Sequence, residues 1–363
     1  MSVRPNDKLV TIAYFIQISE PTITLLPRLL RVLYDPSNTY IVHFDKKIPE
    51  WQRTHAASSL FNSDKRYEDN VHILPSESVT YRGISMVLNS LNAMQAAADH
   101  SADWTYFINI SGSDYPLLSP TNQRRLLSDF DFAERKRSFF SISPKDWWTE
   151  SKTYRYDRLF TDTSLSFNES EHRIVDSYTD QPLSTVHNFT FVAAEAWMLL
   201  HRDFVDFLLK SPFSRRMLLA FAYALEPEEH YFAVVAYNTP RFNDSTVPHA
   251  LRHVEWVHNG KHSGQHPYYV DALDDDGKTW SFQHKIENSG CFFTRKIRNK
   301  DATILEYLDK HVNGVHDKAV TNDVDRYFKL TRKKLECVSQ LTIADYADVC
   351  FHNDEVEEHD AES

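Results

Sequence analysis

Glycine and cysteine are both scarce in this chain, with 7 glycines and 3 cysteines among 363 residues. The glycines form neither G-x-G-x-x-G nor G-x-x-x-x-G-K-[ST], which excludes the two common phosphate-binding loops of nucleotide sites. The cysteines, Cys291, Cys337 and Cys350, cannot make a zinc knuckle. They permit one disulfide at most, with Cys337 and Cys350 as the candidate pair, but we expect three buried or free thiols as the simpler arrangement.

Long apolar runs and an excess of basic residues are also missing. No run of 18 apolar residues occurs and residues 1–8 are polar, so we expect a protein that is either soluble or lacks its anchoring segment here. The formal net charge of −11 argues against binding nucleic acid through a broad surface. Four N-x-[ST] sequons are compatible with a secretory origin; they begin at Asn109, Asn168, Asn188 and Asn243.

Short β-rich runs alternate with helical patterns over the first third of the chain. The runs that read as strands are 9–16, 40–44, 71–74 and 104–110. Apolar residues recur at helical spacing over 25–33 and 87–98. This alternation is typical of a mostly parallel sheet covered by helices, so we predict the α/β fold class. Ligands bind beyond the carboxyl ends of such strands, so Asp45 and the segment 111–116 should border one crevice.

Four further segments carry reactive residue types at or near predicted turns. They are V-T-Y-R-G at 79–83, D-W-T-Y-F-I-N-I-S-G-S-D-Y-P at 103–116, P-E-E-H-Y-F at 227–232 and F-F-T-R-K at 292–296. In order and spacing the chain resembles glycosyltransferase family 14 from about residue 10 to about residue 310, and the second segment is the most specific part. That family holds the core-2 and I-branching N-acetylglucosaminyltransferases, the protein xylosyltransferases and the plant arabinogalactan β-glucuronosyltransferases.

The resemblance implies an enzyme with a GT-A-like, Rossmann-like nucleotide-sugar transferase fold. Such an enzyme would move xylose, N-acetylglucosamine or glucuronic acid from a UDP-sugar to a hydroxyl of a glycan or glycoprotein. The transfer would invert the anomeric centre, form a β-linkage and need no divalent metal. The chemistry requires a carboxylate that takes the proton of the attacking hydroxyl, and positive charge beside the departing diphosphate.

The resemblance places the catalytic base at Glu229. In the family pattern S-P-D-E-H-F-F the second acidic residue is the base, and the segment here reads P-E-E-H-Y-F, so Glu228 is the neighbouring alternative. Without the resemblance, two adjacent acids before an apolar stretch would indicate the N-terminus of a helix. Arg295 and Lys296 match the family's F-A-R-K-F element, whose lysine contacts the UDP phosphates in place of a metal.

Other residues match elements that border the two substrate sites. For the nucleotide sugar they are Asp45, Tyr81, Arg82, Ser113 and Asp114, and for the acceptor they are Trp197, Glu255 and Trp256. Gly83 should open a helix whose N-terminus faces the ligand. The two tryptophans are candidate stacking platforms for a sugar, and core packing is almost as good an explanation of each.

A metal-dependent mechanism has weaker support in the sequence. D-x-D triplets at 129–131 and 323–325 and an acidic run at 274–276 fall at predicted helix ends or in polar loops. None follows the fourth predicted strand, where a metal motif of this fold belongs. We therefore expect neither a metal nor another cofactor.

We expect one catalytic domain over residues 1–330, with a nucleotide-sugar half at about 8–135 and an acceptor half with the base at 136–300. Residues 331–363 would form a C-terminal extension with an acidic tail. The resemblance implies a type II membrane protein of the Golgi lumen whose anchor is not visible in this chain. A second hypothesis is a catalytically silent, lectin-like relative that binds glycans, although such a binder would have little reason to keep an acid at position 229.

Overall fold

A computed structural model describes residues 9–143, 152–165, 172–181, 183, 189–259, 262–270, 279–312, 314, 321–343, 345 and 350. The predicted acidic tail, the acidic run at 274–276 and the sequons at Asn168 and Asn188 lie outside these residues.

The strands and helices alternate along the chain as predicted for the first third. The strands are β1 (Ile12–Ile18), β2 (Thr39–Phe44), β3 (Val71–Ile73), β4 (Tyr106–Ser111), β5 (Asp114–Pro116), β6 (Ser138–Ile142), β7 (Arg158–Asp162), β8 (Ile174–Asp180), β9 (Ala194–His201), β10 (Thr246–Val247), β11 (Arg252–Val254), β12 (Trp256–Asn259), β13 (His262–Pro267) and β14 (Phe293–Arg295). The α-helices are α1 (Leu26–Leu33), α2 (Glu50–Ser63), α3 (Tyr67–Asn70), α4 (Ile84–His100), α5 (Pro120–Asp129), α6 (Tyr154–Asp157), α7 (Arg202–Lys210), α8 (Pro212–Ala220), α9 (Tyr231–Tyr237), α10 (Pro240–Asn243), α11 (Thr279–Ser289), α12 (Thr303–Tyr307) and α13 (Thr321–Val338). Short 3-10 turns span Glu20–Leu25, Thr163–Leu165 and Pro227–Glu229, and a π-helical turn spans Leu308–Val312.

The central sheet is mostly parallel, which confirms the predicted α/β class. Within the described residues it has seven strands in the order β10-β6-β9-β4-β1-β2-β3, and β9 runs antiparallel to both of its neighbours. The pairs β3·β2, β2·β1, β1·β4 and β10·β6 are parallel. The sheet thus has the arrangement expected of a nucleotide-sugar transferase fold.

Two hydrophobic cores cover the faces of this sheet. Tyr14 and Ile16 of β1 pack in one core together with the apolar face of α1, and Ala13 and Phe15 pack in the other with α4. Because β1 is covered on both faces, it reads as a continuous apolar run, as parallel strands do. Each fully buried leucine or phenylalanine contributes about 1.5–3 kcal/mol, so these contacts fix the strands whose carboxyl ends border the site.

A small sheet lies at the carboxyl end of β4, where the sequence predicts a turn. β5 pairs antiparallel with β14, so Asp114 lies opposite Arg295, and β11 pairs parallel with β14, so Val254 also lies opposite Arg295. Strands of three residues are too short to show an alternating pattern, which is why the sequence did not predict them. The small sheet brings β14 to the edge at which open α/β sheets bind ligands.

Three other sequence expectations can be compared with the structure. The expectation of three unpaired thiols is wrong, because Cys337 and Cys350 form a disulfide that ties the chain after α13 back to that helix, while Cys291 is buried and free. The sequon at Asn109 lies in β4, and its amide bonds the backbone of Ala196 and Met198, so it is closed to glycosylation. Among the helices of the described residues, none is both long and apolar enough to cross a membrane.

Candidate active site

A cavity of about 140 Å³ opens where β9, β14 and the turn Pro227–Glu229 meet. Acidic, basic and aromatic side chains share its lining, which among the described residues consists of Tyr81, Met86, Glu195, Ala196, Trp197, Glu226, Glu228, Glu229, Val254, Trp256, Pro267, Arg295 and Lys296. The cavity therefore brings together the predicted base, both predicted diphosphate ligands and three of the predicted substrate contacts.

Arg155 holds the carboxylate of Glu229. Its Nη1 donates to Glu229 Oε2 at 2.5 Å, and its side chain is only 8% exposed. The same guanidinium forms an ion pair with Glu226. Burial raises the pKa of Glu229, although the charge of Arg155 opposes the shift. A carboxylate with a raised pKa and a fixed orientation is suited to take a proton from a hydroxyl.

Arg82 supports the turn that carries the base and does not line the cavity. Its Nε lies 2.6 Å from Glu226 Oε1, and its carbonyl accepts the Glu226 N–H at 2.9 Å. Arg82 and Glu226 both have positive φ, at 70° and 52°, which costs about 1–2 kcal/mol for a residue with a Cβ. The ion pair and the backbone bond together hold this strained arrangement.

Glu228 differs from its neighbour because no cation among the described residues forms an ion pair with it. Among the described residues its Oε2 has no hydrogen-bond partner, and the residue is 8% exposed. Burial raises the pKa of Glu228 well above the ordinary carboxyl value, and the charge of Glu229 raises it further. We therefore expect Glu228 to be protonated in the folded protein.

His230 is not a competing base. Its ring Nδ1 lies 3.1 Å from the Val192 carbonyl, to which it donates, and the ring is outside the cavity lining. Burial lowers the pKa of His230 to about 3. The imidazole is thus neutral and fixed in the core.

Arg295 lies at the end of β14, buried against Trp197. Its guanidinium carbon is 3.9 Å from the centroid of the Trp197 ring system, and that of Arg252 is 4.7 Å from the same centroid. Cation–π contacts of this kind stabilise both partners, so Trp197 packs on the two guanidinium groups while it also lines the cavity. Among the described residues Arg295 Nε and Nη1 have no hydrogen-bond partner, so the guanidinium keeps unused donors.

Asp114 lies beneath the cavity and outside its lining. Arg252 Nη1 is 2.8 Å from its Oδ1, both side chains being 0% exposed, and the Ser111 N–H donates to its Oδ2 at 2.5 Å. An unpaired buried carboxylate would be costly, so Arg252 is its necessary partner. The structure thus pairs Asp114 with Arg252 close to Arg295, and its predicted contact with the nucleotide sugar stays a prediction.

Three other predicted residues also lie outside the lining. The Asp45 carboxylate closes the turn after β2, where it accepts the Lys47 N–H at 2.9 Å. Ser113 is buried, and its hydroxyl lies 2.8 Å from that of Ser111. Glu255 pairs with Lys285 at 2.9 Å and with His253 at 3.0 Å. Tyr81, Trp256 and Lys296, in contrast, reach the cavity as predicted.

The model of the core-2/I-branching enzyme family matches residues 12–274. The chain belongs to this family. The match confirms the resemblance that the motifs indicate, and it covers the cavity from Tyr81 to Pro267. Arg295 and Lys296 lie beyond the matched segment.

Three curated relatives illustrate the range of the core-2/I-branching family. The chain is 31% identical over 305 residues to β-glucuronosyltransferase GlcAT14B of Arabidopsis thaliana, covering 83% of this chain and 66% of that protein. It is 29% identical over 270 residues to human β-1,3-galactosyl-O-glycosyl-glycoprotein β-1,6-N-acetylglucosaminyltransferase 3, covering 71% and 56%. It is 27% identical over 319 residues to xylosyltransferase 2 of Rattus norvegicus, covering 85% and 34%. The chain thus spans less than two thirds of the length of each of these relatives. Their similarity agrees with the assignment of the chain to this family of glycosyltransferases.

Gly83 opens α4 as predicted, and an aspartate of the protein itself bonds the first turn of that helix. Gly83 is the N-cap of α4, and Asp162 Oδ2 accepts the Ser85 N–H at 3.0 Å. A Cβ at position 83 would overlap the Asp162 carboxylate, so glycine is needed for this close approach. A helix N-terminus attracts an anion, and in this family member the protein's own aspartate takes that place.

Sequence reasoning missed three residues of the site: Glu195, Arg155 and Glu226. Glu195 lies in a strand of mixed composition, and Arg155 lies in a Tyr-rich stretch without a clear periodic pattern. Glu226 directly precedes the P-E-E-H segment, so a third adjacent acid was the one available signal. Their roles depend on contacts between distant segments, which no local pattern encodes.

The expectation that no metal is needed stays a prediction. In the part of the chain that the structure describes, no three His, Cys, Asp or Glu side chains gather where they could hold a metal ion. Asp129 of the first D-x-D triplet pairs with Arg332 at 3.0 Å, and Asp323 lies in the first turn of α13.

We predict that replacing Glu228 by glutamine stabilises the protein increasingly as the pH rises. The pKa of Glu228 in the folded protein lies above the ordinary carboxyl value of 4.5. The free energy that the protonated side chain contributes to folding is therefore fully present below pH 4.5. The wild type loses this free energy of unfolding as the pH rises through the folded-state pKa. Glutamine never ionises. The free energy of unfolding of Glu228→Gln, relative to wild type, should grow above about pH 5 by on the order of 1 kcal/mol per pH unit until the pH reaches the folded-state pKa.

Urea denaturation at several pH values measures this difference. The exposed Glu68→Gln variant, which removes a carboxylate that pairs with Lys65 on the surface, is the control and should show a small difference at every pH. A difference for Glu228→Gln that stays flat or shrinks with pH would show that Glu228 is ionised in the native state.

Proposed function

We propose that this protein is an inverting glycosyltransferase that moves a sugar from a UDP-sugar to a hydroxyl of a glycan or glycoprotein, without a divalent metal. The observation that carries the proposal is the shared cavity, in which a half-buried, cation-held carboxylate, Glu229, and two basic residues, Arg295 and Lys296, line the same space. Membership of the core-2/I-branching family supports the reaction class.

In the proposed reaction Glu229 Oε takes the proton of the acceptor hydroxyl. The acceptor oxygen then attacks the anomeric carbon from the side opposite the leaving group, and the bond from that carbon to the diphosphate oxygen breaks. The raised pKa of Glu229 supports this role, because a base is most effective when its pKa is close to the working pH. Arg155 fixes the carboxylate at 2.5 Å and so limits its rotation.

The departing UDP takes the electron pair, and its new charge must be stabilised. Arg295 offers N–H groups without a hydrogen-bond partner among the described residues, and Lys296 follows it in the lining. Fixed cations stabilise a developing charge without reorganisation of solvent. Tyr81, which is 58% exposed, and Trp256 are the aromatic side chains that we assign to the sugars.

We predict that Glu229→Gln lowers turnover about 10²–10⁴-fold, because the amide cannot accept a proton. UDP affinity should stay near the wild-type value, since the variant keeps the size of the side chain. Glu228→Gln is the matched control: it should keep turnover, because we expect wild-type Glu228 to be neutral already. Release of UDP with an oligosaccharide mixture as acceptor measures the rate, and calorimetric titration with UDP measures the affinity.

The reverse result, with Glu229→Gln active and Glu228→Gln inactive while both are folded, would move the base to Glu228. Wild-type protein that binds glycans but shows no turnover with UDP-xylose, UDP-N-acetylglucosamine or UDP-glucuronic acid would favour the lectin-like alternative.

We predict that Lys296→Ala weakens UDP binding and turnover together, because the cation faces the diphosphate in both the ground state and the transition state. Each should fall at least about tenfold, the loss expected for one charge-assisted contact. Lys300→Ala is the control, since Lys300 is exposed and pairs with Asp301. Turnover of the wild type should persist in EDTA, and complete loss of activity in EDTA would contradict the metal-free mechanism.

We also propose that the natural protein works in the Golgi lumen, which its membership of the core-2/I-branching family and the nature of the reaction support. Co-fractionation of the endogenous protein with Golgi membranes would agree with this proposal, and a freely cytosolic, unglycosylated protein would contradict it.

A further inference from the structure

We propose that Glu195 determines donor specificity, selecting a neutral sugar over one that carries a carboxylate. The proposal rests on the function proposed above, and it names the class of donor that the cavity takes. Glu195 belongs to β9 and lines the cavity between two alanines of the strand, Ala194 and Ala196.

The surroundings of Glu195 place it beside the reacting sugar. Glu195 shares the cavity lining with Glu229, Arg295 and Trp256. Burial raises the pKa of Glu195, but the charges of Arg295 and Arg252 oppose that shift and the Trp256 side chain donates a hydrogen bond that favours the carboxylate. An inverting displacement requires the anomeric carbon to lie between the base and the departing diphosphate. A group that shares the lining with both Glu229 and Arg295 therefore borders the ring of the transferred sugar.

The charges of the lining disfavour a second carboxylate there. Arg295 and Lys296 are the basic residues among the described lining, and both are assigned to the diphosphate. Arg155 is already shared by Glu226 and Glu229, and Lys152 lies near the same pair of acids. The described lining thus offers a uronate no cation beyond those two, and it adds the carboxylate of Glu195.

A neutral sugar makes a favourable contact at the same place. A ring hydroxyl can donate to a Glu195 oxygen, and hydrogen bonds to charged acceptors are the stronger ones. Like charges brought together in a partly buried site repel each other strongly. The same carboxylate thus favours xylose or N-acetylglucosamine and opposes glucuronic acid.

The test is a set of calorimetric titrations with UDP-xylose, UDP-N-acetylglucosamine and UDP-glucuronic acid, each compared with UDP. We expect the wild type to bind at least one neutral donor about tenfold or more tightly than UDP-glucuronic acid. Glu195→Gln keeps the volume and can still accept the Trp256 hydrogen bond, and it should reduce that ratio about tenfold. Glu195→Ala should reduce it as well, and the surface variant Glu68→Gln should leave it unchanged.

The outcomes separate this proposal from the one on which it rests. Normal UDP binding with equal or tighter binding of UDP-glucuronic acid by the wild type would overturn the role of Glu195 and leave the proposed function standing. The role of Glu195 would also be overturned if UDP binds normally and the ratio of the affinities for the neutral donor and for UDP-glucuronic acid is the same in the wild type and in both folded Glu195 variants. Absence of binding of UDP and of all three donors by the wild type would overturn the proposed function and this specificity together.

Discussion

The wall of the cavity depends on the guanidinium of Arg155. It joins Glu226 and Glu229 through ion pairs, and the Arg155 carbonyl accepts the N–H of Leu225 at 2.7 Å. Removing one partner of a buried ion pair costs about 3–5 kcal/mol, because the other charge remains buried without compensation. The position of the Glu229 carboxylate therefore depends on Arg155, which shares with Arg82 the task of holding Glu226 before Pro227.

A second group of buried charges lies at Arg295, where two cations are held by one carboxylate. Arg252 and Arg295 repel each other, and Asp114 and the Trp197 ring lie close to both of them. Buried ion pairs of this kind add little net stability compared with well-packed apolar groups, but they fix where each charge lies. Near the cavity, Arg155 thus fixes the carboxylate of Glu229. Asp114 and the Trp197 ring fix the guanidinium groups of Arg252 and Arg295.

The sequence predicts the parts of this protein that depend on local pattern. The apolar run of β1 and the helical spacing of α1 and α4 are properties of neighbouring residues, and all three elements occur as expected. The family motif also led to Glu229. The pairing of Asp114 with Arg252 and the occupation of the α4 N-terminus by Asp162 could not be predicted, because they join segments that are far apart in the sequence.

The pairing of β5 with β14 bears on the order in which the protein acquires its cavity. Contacts between distant segments form slowly, since a long loop must close before they add any stability. The parallel strands β1 to β4 all lie in the first third of the chain, so they can gather as soon as that part has been synthesised. Asp114 meets its partners only after Arg252 and Arg295 have left the ribosome, and until then this carboxylate must remain hydrated. The cavity consequently closes only after β14 has paired with β5 and with β11.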